Sequence, residues 1–269
     1  HEKGSVYIGD QKVKVERPRV RDILLGEIPL KSYQAMRHSG QFSEEVLEKI
    51  LRGLSTQQYE ETIIESANAF GVSPSCLSKK VVEISAKKLK EFQQRSLADF
   101  MAFAIFLDTI HRGGEAFLVA LGLNANGAKM ALGFWEGSSE NNEICKELFA
   151  DLERRGLTLS NKMIFITDGG TGIIKALRDR FGKKLLHQRC AIHKSRNLQN
   201  HLAKPYRKEA HRMLMAALEQ NTYADAKRML LELEKWLRSK NESAADSLLE
   251  AFEELITLHR LHVPARLRR

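Results

Sequence analysis

Two aspartates in this sequence each follow a strongly apolar stretch directly. Asp108 follows Phe100–Leu107, and Asp168 follows Met163–Thr167. If both stretches are strands, both acids lie where an open α/β sheet forms its crevice. Neighbouring carboxylates repel unless a cation lies between them, and a pair of Mg²⁺ ions held by carboxylates suits phosphodiester chemistry. We therefore predict Asp108 and Asp168 as catalytic residues and metal ligands, although each acid alone is equally consistent with a structural turn.

A second polar segment runs from His187 to Asn197 and permits three interpretations. His187, Cys190 and His193 have a spacing that zinc could use, but a closed structural site takes four ligands. Cys190 and His193 could form a nucleophile–base pair, but no supporting motif accompanies them. The favoured interpretation is a basic strand-to-helix junction, with Cys190 and His193 at the periphery of the active site. Its predicted DNA-phosphate contacts are Arg189, Lys194 and Arg196.

The apolar pattern predicts the sheet that would position these side chains. Three strands, expected to form an antiparallel meander, precede a helix capped by Ser138 or Ser139, a fourth strand, a second helix and a fifth strand. The predicted ranges are Phe100–Leu107, Ala116–Leu123, Lys129–Trp135, a helix to Arg155, Met163–Thr167, Gly170–Phe181 and Leu185–Gln188. This order is typical of an α/β RNase H-like core, which we assign to residues 97–198. An almost wholly helical pattern follows, with one predicted helix at Ala244–Leu258, and we assign residues 199–269 to an all-helical segment.

The N-terminal part has a different character. Residues 1–40 are predicted as an extended basic arm, and residues 41–96 as a helical DNA-binding region. Two predicted helices, Gln57–Phe70 and Cys76–Lys90, are joined by a turn that ends in Ser73-Pro74, suited to an N-cap and a first helical turn. This pattern predicts a helix-turn-helix with Lys79 and Lys80 contacting DNA. An ordinary helical hairpin with a solvated charged face is the alternative.

Composition narrows the class of protein further. The 269 residues include 43 Lys and Arg against 34 Asp and Glu, a net charge of +9 that favours a polyanionic partner. Nine of these cations lie between Lys183 and Arg212, with Glu209 as the one acid there. Three irregularly spaced cysteines make no disulfide framework, which indicates a reducing compartment. The longest apolar run, Phe100–Leu107, is far shorter than the roughly 20 residues of a membrane span.

Several ordered motifs resemble one known group, the bacterial insertion-sequence transposases related to the Mutator elements. The resemblance rests on PRVRD from Pro18, FLDTIH from Phe106, ALGLNANGAKMALGFWEGSSEN, FITDGGTGIIKAL, QRCAIHKSRN and the closing LITLHRLHVPARLRR. It covers nearly the whole chain. One departure is Thr109, where such enzymes often have glycine after the first aspartate.

The resemblance implies an enzyme that cuts DNA at transposon ends and transfers the strands into target DNA. An RNase H-like core with an Asp, Asp, Glu triad would use Mg²⁺ or Mn²⁺, and Asp108 and Asp168 match the two aspartates. Residues from about 200 match a helical insertion, and the glutamate is expected a few residues past Arg269, where the sequence stops. The implied partners are double-stranded DNA, both terminal inverted repeats and target, and further copies of the chain in a dimer or larger multimer. A bacterial cytoplasmic protein at the nucleoid, without membrane association, is expected.

Other functions stay open at this point. A truncated, non-catalytic transposase remnant that only binds DNA would have the same sequence pattern. A phosphohydrolase of the haloacid dehalogenase type needs a second aspartate two residues after the first, where Ile110 stands. A dinucleotide site at Gly169–Gly172 lacks the G-x-G-x-x-G spacing. None of Glu209, Glu232, Glu234, Glu253 and Glu254 is proposed as the third carboxylate.

Overall fold

The computed structural model describes residues 2–8, 11–22, 26–28, 30, 33, 61, 63–65 and 73–268. The chain divides into two compact units, His1–Gln94 and Arg95–Arg269. The predicted helix Gln57–Phe70 lies largely outside the described residues, as do the first two residues of the turn after it. The four-segment division drawn from the sequence stays a prediction.

The first unit contains two small antiparallel sheets and one long helix. Its elements are β1 (Glu2–Ile8) paired with β2 (Gln11–Arg17), β3 (Val20–Asp22) paired with β4 (Gly26–Ile28), and α1 (Pro74–Gln94). Pro74 opens α1 as predicted, because the first helical turn needs no N–H from the residue that starts it. Leu77 and Val81 are buried one turn apart and mark the inner face of the helix.

The second unit is built on a five-stranded mixed sheet in the order β7-β6-β5-β8-β9. Its strands are β5 (Ala102–Arg112), β6 (Glu115–Asn124), β7 (Lys129–Glu136), β8 (Ile164–Thr167) and β9 (Leu186–Arg189). The first three pair antiparallel, while β8 pairs parallel with β5 and β9 pairs parallel with β8. The predicted meander and the predicted order of strands and helices are confirmed.

Strand β5 is longer than the sequence pattern predicted. It continues past Asp108 to Arg112, because Gly113 and Gly114 adopt positive φ angles of 60° and 88° and close a hairpin with β6. The parallel pairing with β8 stops earlier, at Leu107 and Thr167. Asp108 therefore lies within its strand rather than at its end, at the point where β8 no longer pairs with it.

Two helices, α2 (Asn142–Arg154) and α3 (Thr171–Phe181), pack against the sheet. Their buried side chains share one hydrophobic core with Ile105, Leu107 and Phe165. The predicted cap of α2 was wrong, because Asn141 occupies that position. Its side-chain oxygen accepts hydrogen bonds from the backbone N–H groups of Glu143 and Ile144.

The remaining chain is helical, as predicted, and forms a second core. The helices are α4 (Ala191–Asn200), α5 (Lys204–Leu218), α6 (Tyr223–Arg238), α7 (Glu242–Glu250), α8 (Phe252–Leu255) and α9 (Thr257–Arg260). Leucines and alanines on their facing sides are fully buried together. None of the helices in the part of the chain described above combines the length and apolarity needed to cross a membrane.

The predicted helix at Ala244–Leu258 is instead broken at Ala251 and Ile256. The second break, at Ile256, is stabilised by a residue of the sheet, Gln188 on β9. The buried side chain of Gln188 donates a hydrogen bond to the Leu255 carbonyl and accepts one from the Leu258 N–H. These bonds satisfy backbone groups that a helix end leaves without partners, so the sheet stabilises the break.

The second core gives a direct stability prediction through two adjacent leucines on α6. Leu230 is fully buried, whereas 44% of Leu231 is exposed. We expect Leu230→Ala to lower the free energy of unfolding by about 2–5 kcal/mol through the cavity that it leaves. Leu231→Ala, the control, changes it by less than about 1 kcal/mol. Urea unfolding followed by circular dichroism measures both, and equal losses would contradict the packing described here.

Candidate active site

The two predicted acids lie next to each other, at the point where the central strands β5 and β8 stop pairing. The last parallel pair between β5 and β8 is Leu107 with Thr167, and Asp108 and Asp168 follow these two residues directly. Because adjacent strands are about 4.8 Å apart, the two carboxylates begin from neighbouring backbone positions. The central strands thus bring together the two positions that the sequence singled out.

Hydrogen bonds hold the Asp168 carboxylate in place from two sides. The Gly170 N–H donates to Oδ1 at 3.0 Å, and the Ser139 hydroxyl donates to Oδ2 at 2.8 Å. The intervening Gly169 has φ +102°, a backbone conformation that other residues rarely adopt. Side-chain atoms at positions 169 and 170 would also meet Arg189 and Ser139, so the turn can pass this close only with glycine at both places.

The Asp108 carboxylate is partly open to solvent. Half of its side chain is exposed, and Oδ1 accepts a hydrogen bond of 2.9 Å from the Thr109 N–H. His193 Nε2 lies 3.8 Å from the same Oδ1. No residue that the structure describes donates a hydrogen bond to Oδ2 of Asp108, which leaves this oxygen accessible to a ligand.

Cys190 and His193 lie beside the two acids, at the start of α4. Cys190 continues the pairing of β9 with β8, because its N–H donates to the Thr167 carbonyl at 2.8 Å. Helix α4 begins one residue later, so its positive N-terminal end lies near Asp168. One turn into the helix, His193 reaches Asp108.

Neither the zinc interpretation nor the nucleophile pair gains support from these positions. His187 lies inside the unit, where its Nε2 is 2.9 Å from the Thr167 hydroxyl and its Nδ1 is 3.4 Å from Glu254. Among the residues with described positions, no group of three or more His, Cys, Asp or Glu side chains could hold a metal ion. The Cys190 thiol makes no hydrogen bond to His193.

The three cations predicted to contact phosphates divide into two kinds. Arg189 and Lys194 are 3% and 2% exposed, and both form ion pairs with Glu250, at 2.7 and 2.8 Å. A phosphate would have to displace Glu250 to reach either side chain, and DNA contact by Arg189 and Lys194 stays a prediction. Arg196 is exposed on α4, one turn beyond His193. In the first unit, Lys79 and Lys80 are exposed near the start of α1, with Lys80 3.9 Å from Glu83.

A charge network that is only partly buried, with 54% of the Glu250 side chain exposed, links the helical segment to the end of β9. We call it the β9 network and define it as His187, Arg189, Lys194, Glu250 and Glu254. The Glu254 carboxylate also contacts Arg178 at 2.9 Å. Burial alone would raise the pKa of Glu254, but His187, Arg178 and Arg189 together lower it to about 2.

Sequence reasoning did not identify three contributors to this site. Ser139 was expected to cap α2, whereas its hydroxyl contacts Asp168. Glu250 was not singled out and Glu254 was only set aside as a third carboxylate, because nothing in their spacing indicates the arginine and lysine some 60 residues earlier that they pair with. The glycine pair at 169 and 170 was the one available signal, since two glycines after an acid indicate a close approach by another segment.

The chain thus combines a mixed α/β unit with a pair of aspartates on neighbouring central strands. The profile described as "Transposase, Mutator family" matches residues 5–268. The protein therefore belongs to the Mutator family of transposases.

Named relatives agree with this family. The chain is 27% identical over 196 residues to the transposase for insertion sequence element IS1201 of Lactobacillus helveticus, covering 70% of this chain and 50% of that protein. It is 25% identical over 261 residues to the transposase for IS256 in transposon Tn4001 of Staphylococcus aureus, covering 93% and 64%. The transposase for ISRM3 of Rhizobium meliloti is 25% identical over 260 residues, covering 94% and 58%. The chain thus spans about half to two thirds of the length of these relatives.

The β9 network predicts a specific pH dependence of stability. Because the pKa of Glu254 falls from 4.5 to about 2 on folding, its contribution is complete above pH 4.5 and is lost as the pH falls towards 2. At pH 7 we expect Glu254→Gln to cost on the order of 3 kcal/mol, because it removes the carboxylate that the buried His187 and Arg189 side chains both contact. The deficit should shrink by roughly 1–2 kcal/mol between pH 5 and pH 3, at up to about 1.4 kcal/mol per pH unit.

Urea unfolding at pH 7, 5 and 3 measures this difference. Glu232→Gln is the matched control, because Glu232 is 57% exposed and pairs with Arg228 on its own helix. The control should change stability by less than about 1 kcal/mol at each pH. A deficit for Glu254→Gln that does not change with pH would show that the carboxylate is not ionised in the way described.

Proposed function

We propose that the second unit is an RNase H-like catalytic core and that the protein is a metal-dependent DNA transposase. In this proposal it cleaves DNA at transposon ends and joins the freed strands to target DNA. The observation that carries the proposal is the pairing of Leu107 with Thr167, which puts Asp108 and Asp168 side by side on neighbouring strands. Family membership supports the same function, since the relatives are named as transposases for insertion sequences.

The donor set formed by Asp108 and Asp168 fits a hard divalent cation, either Mg²⁺ or Mn²⁺. Both candidate ligands are carboxylates, the oxygen donors that such ions prefer. Asp108 Oδ2 has no hydrogen-bond donor among the described residues, and each oxygen of Asp168 accepts one hydrogen bond and keeps a second lone pair. When bound, a metal pair would activate the attacking oxygen and stabilise the leaving oxygen of the phosphodiester.

Within this proposal the chain's own residues bind and orient the reacting groups. Asp108 and Asp168 hold the cations, while Ser139 and the Gly170 N–H fix the direction of the Asp168 carboxylate. His193 lies at the edge of the site, 3.8 Å from Asp108, where it can contact the DNA strand being cut. No covalent bond between protein and DNA is needed, because water and then a 3′-hydroxyl act as nucleophiles.

DNA contact is proposed for the exposed cations alone. Arg196 follows His193 by one helical turn, so it can bind the phosphates that flank the cleaved bond. Lys79 and Lys80 are exposed near the start of α1, which we propose as the recognition helix of a helix-turn-helix for the terminal inverted repeats. A dimer or larger multimer on double-stranded DNA completes the proposal.

Strand cleavage tests the catalytic assignment. The protein, expressed from its complete reading frame, is incubated with Mg²⁺ and labelled DNA that carries the element's ends. Asp168→Asn and Asp108→Asn should each lower the nicking rate by more than about 100-fold, since losing a supporting contact to a ligand already costs 10–100-fold. Asp179→Asn, at an exposed position on α3, should cut at the normal rate.

DNA binding by the same variants separates a lost metal ligand from a lost fold. Asp168→Asn removes a negative charge near the DNA, so it should bind end DNA at least as tightly as the unaltered protein. An Asp168→Asn protein that binds and still nicks with Mg²⁺ would refute the proposed function.

Salt dependence of end binding tests the role of Arg196. Arg196→Ala should weaken binding uniformly across sequences and lower the slope of log affinity against log salt concentration by about one. Lys162→Ala is the matched control, because Lys162 is exposed two residues before β8, at the opposite end of the strand that leads to Asp168. Fluorescence anisotropy at several salt concentrations measures both, and identical slopes for the two variants would exclude Arg196 from the interface.

A further inference from the structure

A chain of two hydroxyl groups joins the segment before α2 to both acids. The Thr109 hydroxyl donates to Ser139 Oγ at 3.0 Å, and Ser139 Oγ donates to Asp168 Oδ2 at 2.8 Å. The Ser139 N–H donates back to the Thr109 hydroxyl at 3.0 Å. Thr109 is the residue next to Asp108, and its own N–H donates to Asp108 Oδ1.

We propose that Ser139 is a positioning residue that sets the Asp168 carboxylate for metal binding, and that Thr109 supports it. The inference rests on the proposed function, because it deepens the role of the Asp108–Asp168 pair. Ser139 acts through Asp168 and does not itself reach the reacting atoms. Thr109 fixes the serine, so the strand that carries Asp108 also determines the direction of Asp168.

Because Ser139 is buried, its hydroxyl has few partners other than Asp168. Only 2% of the residue is exposed, so little water competes for the hydroxyl. A hydrogen bond to a carboxylate is stronger than one between neutral groups, and this one occupies a lone pair of Oδ2 from a fixed direction. The rotation of the Asp168 side chain is thereby restricted, and the remaining lone pairs point to a defined position.

The surrounding segment is anchored independently of the two hydroxyls, so removing one need not displace it. The Ile173 N–H donates to the Ser139 carbonyl at 2.7 Å. Glu140 accepts hydrogen bonds from both the N–H and the hydroxyl of Thr171, at the start of α3. Asn141 caps α2. Ser139→Ala should therefore change the direction of Asp168 more than the fold.

Neighbouring serines provide a matched pair of variants for the test. Ser138 precedes Ser139, and its hydroxyl has no hydrogen-bond partner among the residues that the structure describes. Thr109 offers a second pair, because Thr109→Val keeps the shape and removes the hydroxyl, whereas Thr109→Ser keeps the hydroxyl. Each comparison changes one hydrogen-bonding group in almost the same volume.

The experiment titrates the 269-residue chain with Mn²⁺ and measures the free ion by electron paramagnetic resonance. Ser139→Ala should raise the dissociation constant about 10-fold, the lower end of what loss of a ligand's supporting contact costs. Thr109→Val should raise it to a smaller extent. Ser138→Ala and Thr109→Ser should stay within about twofold of the unaltered chain, and Asp168→Asn should lose the site.

The outcomes separate this inference from the proposed function. If Asp168→Asn loses Mn²⁺ while Ser139→Ala binds as tightly as Ser138→Ala, the positioning role is refuted and the metal site stands. If the unaltered chain and Asp168→Asn bind alike, the metal site fails and the role of Ser139 fails with it. Thermal unfolding without metal checks each fold. If Ser139→Ala does not fold, the two Thr109 variants provide the test. Equal Mn²⁺ affinities for Thr109→Val and Thr109→Ser would then overturn the inference.

Discussion

The second unit depends on one constraint, namely that two like-charged carboxylates stand side by side in the middle of a sheet. Parallel pairing of β5 with β8 ends at Leu107 and Thr167, and the next residue on each strand is an aspartate. Such a pair is unfavourable unless donors or a cation compensate the repulsion. The protein supplies donors from the backbone of Thr109 and Gly170 and from the hydroxyl of Ser139, and leaves one side of Asp108 open. In the proposed function a bound cation compensates the remaining repulsion between the two carboxylates.

In the β9 network, too, charged side chains need compensating partners, and here those partners lie on the helical segment. Buried charges are costly unless they are paired and hydrogen-bonded, so Arg189 and Lys194 fix where Glu250 must lie. Gln188 adds hydrogen bonds to both sides of the break between α8 and α9. The helical segment is therefore tied to β9 by polar contacts in addition to its own apolar core. Arg189 also lies against Gly169, so this attachment extends to the turn that carries Asp168.

Most of the fold was predictable because its signals are local. Apolar runs of strand length, the glycine turns and the helical periodicity predicted all five strands of the sheet and their order along the chain. The boundary errors have tertiary causes. Strand β5 extends past Asp108 because the hairpin with β6 continues the pairing, and the predicted helix at Ala244–Leu258 is broken because Gln188 bonds to backbone groups at the second break. Neither partner is visible from the segment itself.

The sequence by itself determined the elements, the family resemblance and the two acids, since each depends on residue type at short spacing. Only the tertiary structure decided what the polar side chains beside those acids do. Arg189 and Lys194 look like phosphate ligands in the sequence, but folding buries them against Glu250. Ser139 looks like a helix cap, but Asn141 takes that position and the serine turns to Asp168. The physical reason is that a charged or polar side chain pairs with the partner nearest in space, and that partner can be 60 residues away in the sequence.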